Sequence, residues 1–220
     1  MAMVYRNMDE GELPDTAQSS ESDGTDREDL ELVDCLRAGE NRCYELFVRR
    51  FGPKVLAIAR RYLRSIADAD DCFQDTFMAI FDNIGTFEQR SSLGTWVRGV
   101  TVKQCLMRIR AAGRRREESI EHLLPEFDAH GSRVQTDHAN RASGFGEALD
   151  ESRLRLFVRA KIDDLPDDYR ITLLLRDIDG YSTRETADIL GIQVNAVKTR
   201  LHRARSALRS LLEPELEQLY

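Results

Sequence analysis

Five cations, Lys198, Arg200, Arg203, Arg205 and Arg209, fall within twelve residues with no acid between them. Val197, Leu201, Ala204 and Leu208 interrupt them at steps of three and four, which gathers the apolar side chains on one helical face. Asn195, Lys198, Thr199, Arg200, His202, Arg203 and Arg205 are left around the rest of the helix. Such a set makes and breaks no bonds. Its chemistry is neutralisation of phosphate and hydrogen bonding to base edges. A basic helix face by itself can be plain solvated surface. Here the whole chain carries a net charge of −7, and a dense cationic run on an acidic background is the electrostatic footprint of a nucleic-acid contact.

The elements that must position this helix are legible just upstream. Ser182 and Glu185 have capping-box spacing, Ala187, Ile189 and Leu190 give a short apolar side, and Gly191 can take the left-handed conformation that ends a helix. A second helix then starts near Val194. Together they read as a helix-turn-helix whose second member is the recognition helix.

Two further segments carry chemistry-bearing residues. From about Ala67 to Asn83, the residues Ala69, Cys72, Phe73, Thr76, Phe77, Ile80 and Phe81 form one apolar stripe. Asp68, Asp71, Gln74, Asp75, Met78 and Asp82 stand off it, and no Lys or Arg of the same helix is placed to pair with the acids. Spacing leaves two readings open, a solvated face and a dock for a basic partner. Further on, Ser91 or Ser92 can cap a helix with Leu93, Trp96, Val97, Val100, Leu106 and Ile109 inside. That helix ends in Lys103, Arg108, Arg110, Arg114, Arg115 and Arg116 without an acid. An aromatic beside cations suits single-stranded nucleic acid, where bases stack on rings; a lone Trp in an apolar stripe equally suits a core.

The expected organisation is all-α: two small helical domains joined by a flexible linker. Residues 1–25 are an acidic, disordered extension; residues 1–34 hold eleven acids against two bases, so most of the chain's negative charge lies there. A first domain spans 26–112, a linker 113–149, a second domain 150–213 and a tail 214–220. In the first domain, Thr25 and Glu28 have capping-box spacing ahead of a helix that ends near Gly39. Asn41 can cap a helix ending before Gly52, and Pro53 suits the first turn of a third. A brief helix near Ile120–Leu124 is expected in the linker.

No stretch approaches the roughly 18 apolar residues of a membrane span, and the N-terminus lacks the order of a secretory signal. A cytoplasmic protein is expected. Cys35, Cys43, Cys72 and Cys105 show no C-x-x-C spacing and sit in apolar helical patterns, so buried reduced thiols are the favoured reading. His122, His130 and His138 have no ligand-like companions. With no catalytic triad, phosphate loop or metal cluster, the sequence implies no enzyme, no cofactor and no metal.

Two motifs match one family. The run Asp68-Ala69-Asp70-Asp71-Cys72-Phe73-Gln74-Asp75-Thr76-Phe77, followed by Trp96 and the Arg-rich helix end, resembles region two of bacterial sigma factors. The run Leu165-Pro166-Asp167-Asp168-Tyr169-Arg170, then Gly180-Tyr181-Ser182 and Val197 to Arg205, resembles their region four. Having only these two regions and a linker resembles the extracytoplasmic-function group, over about residues 26–112 and 150–213. The resemblance implies binding to core RNA polymerase, through the largest-subunit clamp coiled coil and the flap, and to promoter DNA. It also admits an anti-sigma factor as partner. By position, Asp71, Gln74 and Asp75 would dock on the clamp. Phe87, Arg90, Ser92, Trp96, Lys103, Arg108 and Arg110 would serve the downstream element, the loop Thr86–Ser92 capturing an unstacked base. Asn195, Lys198, Thr199, Arg200, His202, Arg203 and Arg205 would serve the upstream element. Gln193, Lys103 and His202 depart from the family's common residues, which leaves the promoter sequence unread. The competing reading is a dimeric helix-turn-helix regulator acting without polymerase; the acidic helix and the separate basic helix argue against it.

Overall fold

The computed structural model describes residues 22–112, 119–127, 133–134 and 151–216. Of the disordered extension expected over 1–25, residues 1–21 lie outside the described residues, while residues 22–25 are helical; most of the linker, with Arg114–Arg116, His130 and His138, and the end of the tail also lie outside them. The chain divides into two compact units between Arg114 and Arg115.

The first unit has four helices: α1 (Ser22–Arg37), α2 (Asn41–Tyr62), α3 (Ile66–Asn83) and α4 (Leu93–Ala112). Gly39 ends α1 at φ +74°, with its amide donating to the Leu36 carbonyl and the Glu40 amide to that of Cys35. Only glycine adopts that conformation without cost. Ser65 and Ser92 open α3 and α4, their hydroxyls accepting from the amides of Asp68 and Thr95 at 3.3 and 3.2 Å. The core is aromatic: Phe47 stands 4.7 Å from Phe51, 6.1 Å from Phe77 and 5.8 Å from Phe81 between ring centroids. Helix α4 buries Val97, Gly99, Val100, Thr101, Val102, Cys105 and Leu106, residues from more than one of its faces. The buried hydroxyls of Thr76 and Thr101 each donate to the carbonyl four residues back, at 2.7 Å, so neither is left unsatisfied.

Three local expectations fail here. Asn41 does not cap α2 but is its first residue; Glu40 holds the cap position, with no side-chain cap bond. Helix α2 does not break at Gly52-Pro53 but runs through it. An interior proline costs about 3 kcal/mol. Phe47, Phe51, Val55, Ile58, Ala59 and Tyr62 share one buried face across the site. At about 1.5–3 kcal/mol for each large side chain buried, that face outweighs the missing hydrogen bond. Helix α1 begins at Ser22, so Thr25 does not head it. The intended cap partner, Glu28, instead faces Arg50 at 3.3 Å, beside Asp29 at 2.8 Å.

The second unit contains α5 (Glu151–Asp163), α6 (Asp167–Leu173), α7 (Thr183–Leu190) and α8 (Val194–Leu216). Before α5 come a 3₁₀ turn, Glu121–Leu123, and a two-residue antiparallel ladder pairing Glu126 with Val134 and Phe127 with Arg133. The ladder, β1 with β2, is a minor departure in an all-α chain. Helix α6 widens into a π turn over Leu174–Ile178, and Gly180 follows at φ +77°. Ser182 and Glu185 make both halves of the capping box, at 3.2 and 2.6 Å, and Gly191 closes α7 at φ +69°. Helix α8 packs Val197, Leu201, Ala204 and Ala207 against α6 and α7. No helix among the described residues is long and apolar enough to cross a membrane.

Candidate functional site

Helix α8 presents its polar residues in two groups. Asn195, Lys198, Thr199 and His202 are exposed and, at spacings of three, four and seven, share one face. Thr199 Oγ1 donates to the Asn195 carbonyl at 3.0 Å, and among the described residues neither Lys198 nor His202 has an ion-pair partner. The arginines differ. Arg200 reaches Asp168 of α6 at 2.9 Å, and Arg205 makes two bonds to Asp177 of the π turn at 2.8 and 2.6 Å. The Asp177 hydrogen bonds raise the Arg205 guanidinium above its usual range. Arg203 reaches Glu121 of the 3₁₀ turn at 2.9 Å, while Ile120 and Leu123 on either side are buried. Arg209 pairs with Glu213 along α8 itself. The acid-free run in sequence is therefore not acid-free in space.

The Glu121 contact carries a prediction. Glu121→Gln removes the carboxylate that holds Arg203 and keeps the side chain's size, so duplex DNA binding by the full chain should strengthen. An exposed pair is worth about 0–1 kcal/mol, which sets a gain of up to roughly fivefold. Fluorescence anisotropy with a labelled duplex at low salt measures it.

Around α3 and α4 the acids are likewise partnered from a distance. Arg108 of α4 binds Asp71 through Nη2 and Asp75 through Nη1, both at 2.7 Å, and its Nε lies 3.6 Å from Asp68. An arginine expected on the DNA side is thus folded onto the acidic face. Asp71, Gln74 and Asp75 remain exposed beside it, as does Met78. Beneath them the Cys72 and Cys105 sulfurs are 3.6 Å apart and buried. The hydrogen bond from Cys105 holds the Cys72 thiol below its ordinary value.

The other residues expected to serve the downstream element are spread over different environments. Phe87 is 4% exposed, its ring 5.5 Å from that of Trp96. It supports the loop from inside and has no free face on which a base could stack, which corrects its expected role. Trp96 is half-buried. Arg90 pairs with Glu88 at 2.6 Å, and Gln89 between them has φ +61°. Ser92 is committed to capping α4. Lys103 is half-buried, and burial lowers its ammonium from the ordinary range. Arg110 is exposed near the end of α4.

Sequence reasoning missed three features. Arg37 of α1 donates to the Phe87 carbonyl at 2.6 Å and so braces the loop. Arg170 is 1% exposed, between Asp163 and Asp167 at 3.6 and 3.3 Å. Cys35 and Cys43 are joined as a disulfide, where reduced thiols were expected. The turn between the two helices brings their sulfurs together.

Comparison with known proteins adds to this geometry. The sigma-70 region 2 model matches residues 47–115 and the sigma-70 region 4 model residues 158–208. An ECF RNA polymerase sigma-E factor of Haemophilus influenzae is 30% identical over 186 residues, 84% of this chain and 96% of that protein. The RNA polymerase sigma-H factor of Pseudomonas aeruginosa is 28% identical over 88% of this chain and 98% of its own length. Among solved structures, the sigma factor RpoE from Bartonella quintana, crystallised with the anti-sigma factor NepR, matches at 22% identity. It covers 77% of this chain and 96% of that one, with a TM-score of 0.49.

Proposed function

The chain belongs to the extracytoplasmic-function RNA polymerase sigma factors, and from that premise we propose how its two units divide the work of transcription initiation. The protein binds core RNA polymerase and directs it to promoters. The acidic face of α3, with Asp71, Gln74 and Asp75, docks on the clamp coiled coil. Helix α8 reads the upstream element through Asn195, Lys198, Thr199 and His202, and the 84–92 loop with α4 serves the opened downstream strand. Trp96, Arg90 and Arg110 are the groups there with surface left to offer. The chain contributes binding and positioning in the cytoplasm, not bond-making chemistry.

The observation that carries this reading is the division of cations on α8. Arg200 and Arg205 are spent on Asp168 and Asp177, which hold the helix to its own unit. The exposed face, by contrast, begins at the N-terminal turns, the part of a recognition helix that enters a major groove. A strand opened downstream loses base stacking, which costs a few kcal/mol and is offset by stacking and phosphate contacts on the protein.

Runoff transcription with core polymerase on a promoter library tests the assignment. Lys198→Ala, Thr199→Ala and His202→Ala should each reduce transcription, and a base-reading member should cost about 1–3 kcal/mol and relax preference at one base pair. Arg205→Ala should weaken all promoters alike and lower the stability of the second unit, since its partner is Asp177. Equal promoter profiles for all four variants would move the reading surface off α8.

A further inference from the structure

We infer that Cys35 and Cys43 are a reversible thiol–disulfide site that governs how firmly the 84–92 loop is held. Cys35 lies in the last turns of α1 and Cys43 in the first turn of α2, eight residues apart, with Cα atoms 6.1 Å from each other. That separation is within the range a disulfide spans without backbone movement. The turn is independently closed by backbone bonds from Gly39 to Leu36, from Glu40 to Cys35 and from Cys43 to Glu40. The two sulfurs therefore stay neighbours whether or not they are bonded. In the reducing cytoplasm proposed above, a disulfide is characteristically a transient, sensing one.

Burial selects this pair over the other. Cys72 and Cys105 are 1% and 0% exposed, so no oxidant reaches them in the folded chain. Cys35 is partly exposed, whereas Cys43 is 3% exposed. Cys35 is accordingly the attacking sulfur. With hydrogen peroxide as oxidant, the Cys35 thiolate attacks one oxygen and the O–O bond breaks. The departing hydroxide takes a proton to become water, and Cys35 becomes a sulfenic acid. The Cys43 thiol gives up its proton, its sulfur attacks that of Cys35, and the sulfenic hydroxyl leaves as a second water. Two thiols and one peroxide give one disulfide and two waters; a reducing dithiol reverses the change.

The consequence travels through Arg37. It lies two residues beyond Cys35, pairs with Asp34 at 3.6 Å and donates to the Phe87 carbonyl at 2.6 Å. Phe87 in turn is seated against Trp96. The crosslink pins the last turn of α1 to α2 and keeps this brace engaged; reduction leaves the corner to its backbone hydrogen bonds alone, so it opens more often, the sulfurs meeting again each time it closes, and the loop is held less firmly. The meaning for promoter opening rests on the function proposed above. The chemistry and the loop response do not.

The test uses the full chain without polymerase or DNA, so a failure of the sigma-factor reading leaves its readouts untouched. The protein is exposed to hydrogen peroxide or to dithiothreitol, alkylated with iodoacetamide without denaturant, and mapped by peptide mass spectrometry and amide hydrogen exchange. The expected result is a Cys35–Cys43 crosslink that dithiothreitol reverses, Cys72 and Cys105 unlabelled until denaturation, and faster exchange over residues 86–92 in the reduced form. Cys35→Ser should exchange like the reduced wild type under both conditions. Arg37→Ala should still form the crosslink but lose the difference in exchange. No crosslink, or equal exchange over 86–92 in both states, overturns the inference. So does stoichiometric zinc binding by the reduced chain through Cys35, Glu40 and Cys43, whose ligand atoms lie within 4.8 Å of one another, since that would make the corner a metal site.

Discussion

Asp75→Arg should abolish stable association with core RNA polymerase while the chain keeps its helical content. Asp75 is exposed, and its carboxylate is one of three converging on Arg108. Each of these acids keeps more than half of its side-chain surface in solvent, so lone pairs remain for a partner's lysines or arginines. Reversing the charge removes one such contact and sets a guanidinium beside Arg108. Breaking a charge pair that becomes desolvated in an interface costs about 2–5 kcal/mol, or roughly 30- to 4,000-fold in affinity. The intramolecular loss is small, because an exposed ion pair contributes about 0–1 kcal/mol to stability. Pull-down with core enzyme and circular dichroism separate the two. Arg108→Ala supplies the contrast: the acids stay, their competitor is gone, and polymerase binding should hold or tighten. If Arg108→Ala loses polymerase as fully as Asp75→Arg, the cluster's task is to fix α3 against α4, and the docking face lies elsewhere.

The caps and amphipathic faces behind this reading were legible in the sequence because both are local. Ser182 and Glu185 are three residues apart, and Gly39, Gly180 and Gly191 each mark a turn at positive φ. What local pattern could not supply is pairing across the fold. Arg108 meets Asp71 over 37 residues and Arg203 meets Glu121 over 82, and no periodicity encodes such distances. This is why the acidic face of α3 looked unpartnered and the basic face of α8 looked uniformly free. The Gly52-Pro53 pair misled for a different reason: a strong local breaker lost to a buried face of large side chains that only tertiary packing creates. The Cys35–Cys43 pair lies between these cases. A cysteine near the end of one helix and another near the start of the next, across a short glycine turn, was a readable signal that C-x-x-C arithmetic passes over.

Arg170→Ala should be the most destabilising single substitution of a charged residue in the second unit. Its sequence context, Asp167-Asp168-Tyr169-Arg170, is a polar helix start, yet the side chain is 1% exposed and sits between Asp163 and Asp167. It thereby ties the end of α5 to the first turn of α6. Helix α6 is also the element that carries Asp168, the partner of Arg200, and that packs on α8. Truncation leaves a cavity and takes the shared cation away from two carboxylates. Removing one member of a buried pair costs about 3–5 kcal/mol, and about 3 is expected here because both carboxylates keep some solvent. Arg170→Met should cost less than Arg170→Ala, since it refills the space and forgoes only the charge. Urea titration of the full chain should therefore resolve an early transition for the second unit in Arg170→Ala, with the first unit melting as in wild type. DNA binding should fall with that early transition, while polymerase binding through α3 persists until the later one. A single transition unchanged from wild type would mean that Arg170 is not the tie between α5 and α6, and that burial of α8 against α6 and α7 holds the unit alone.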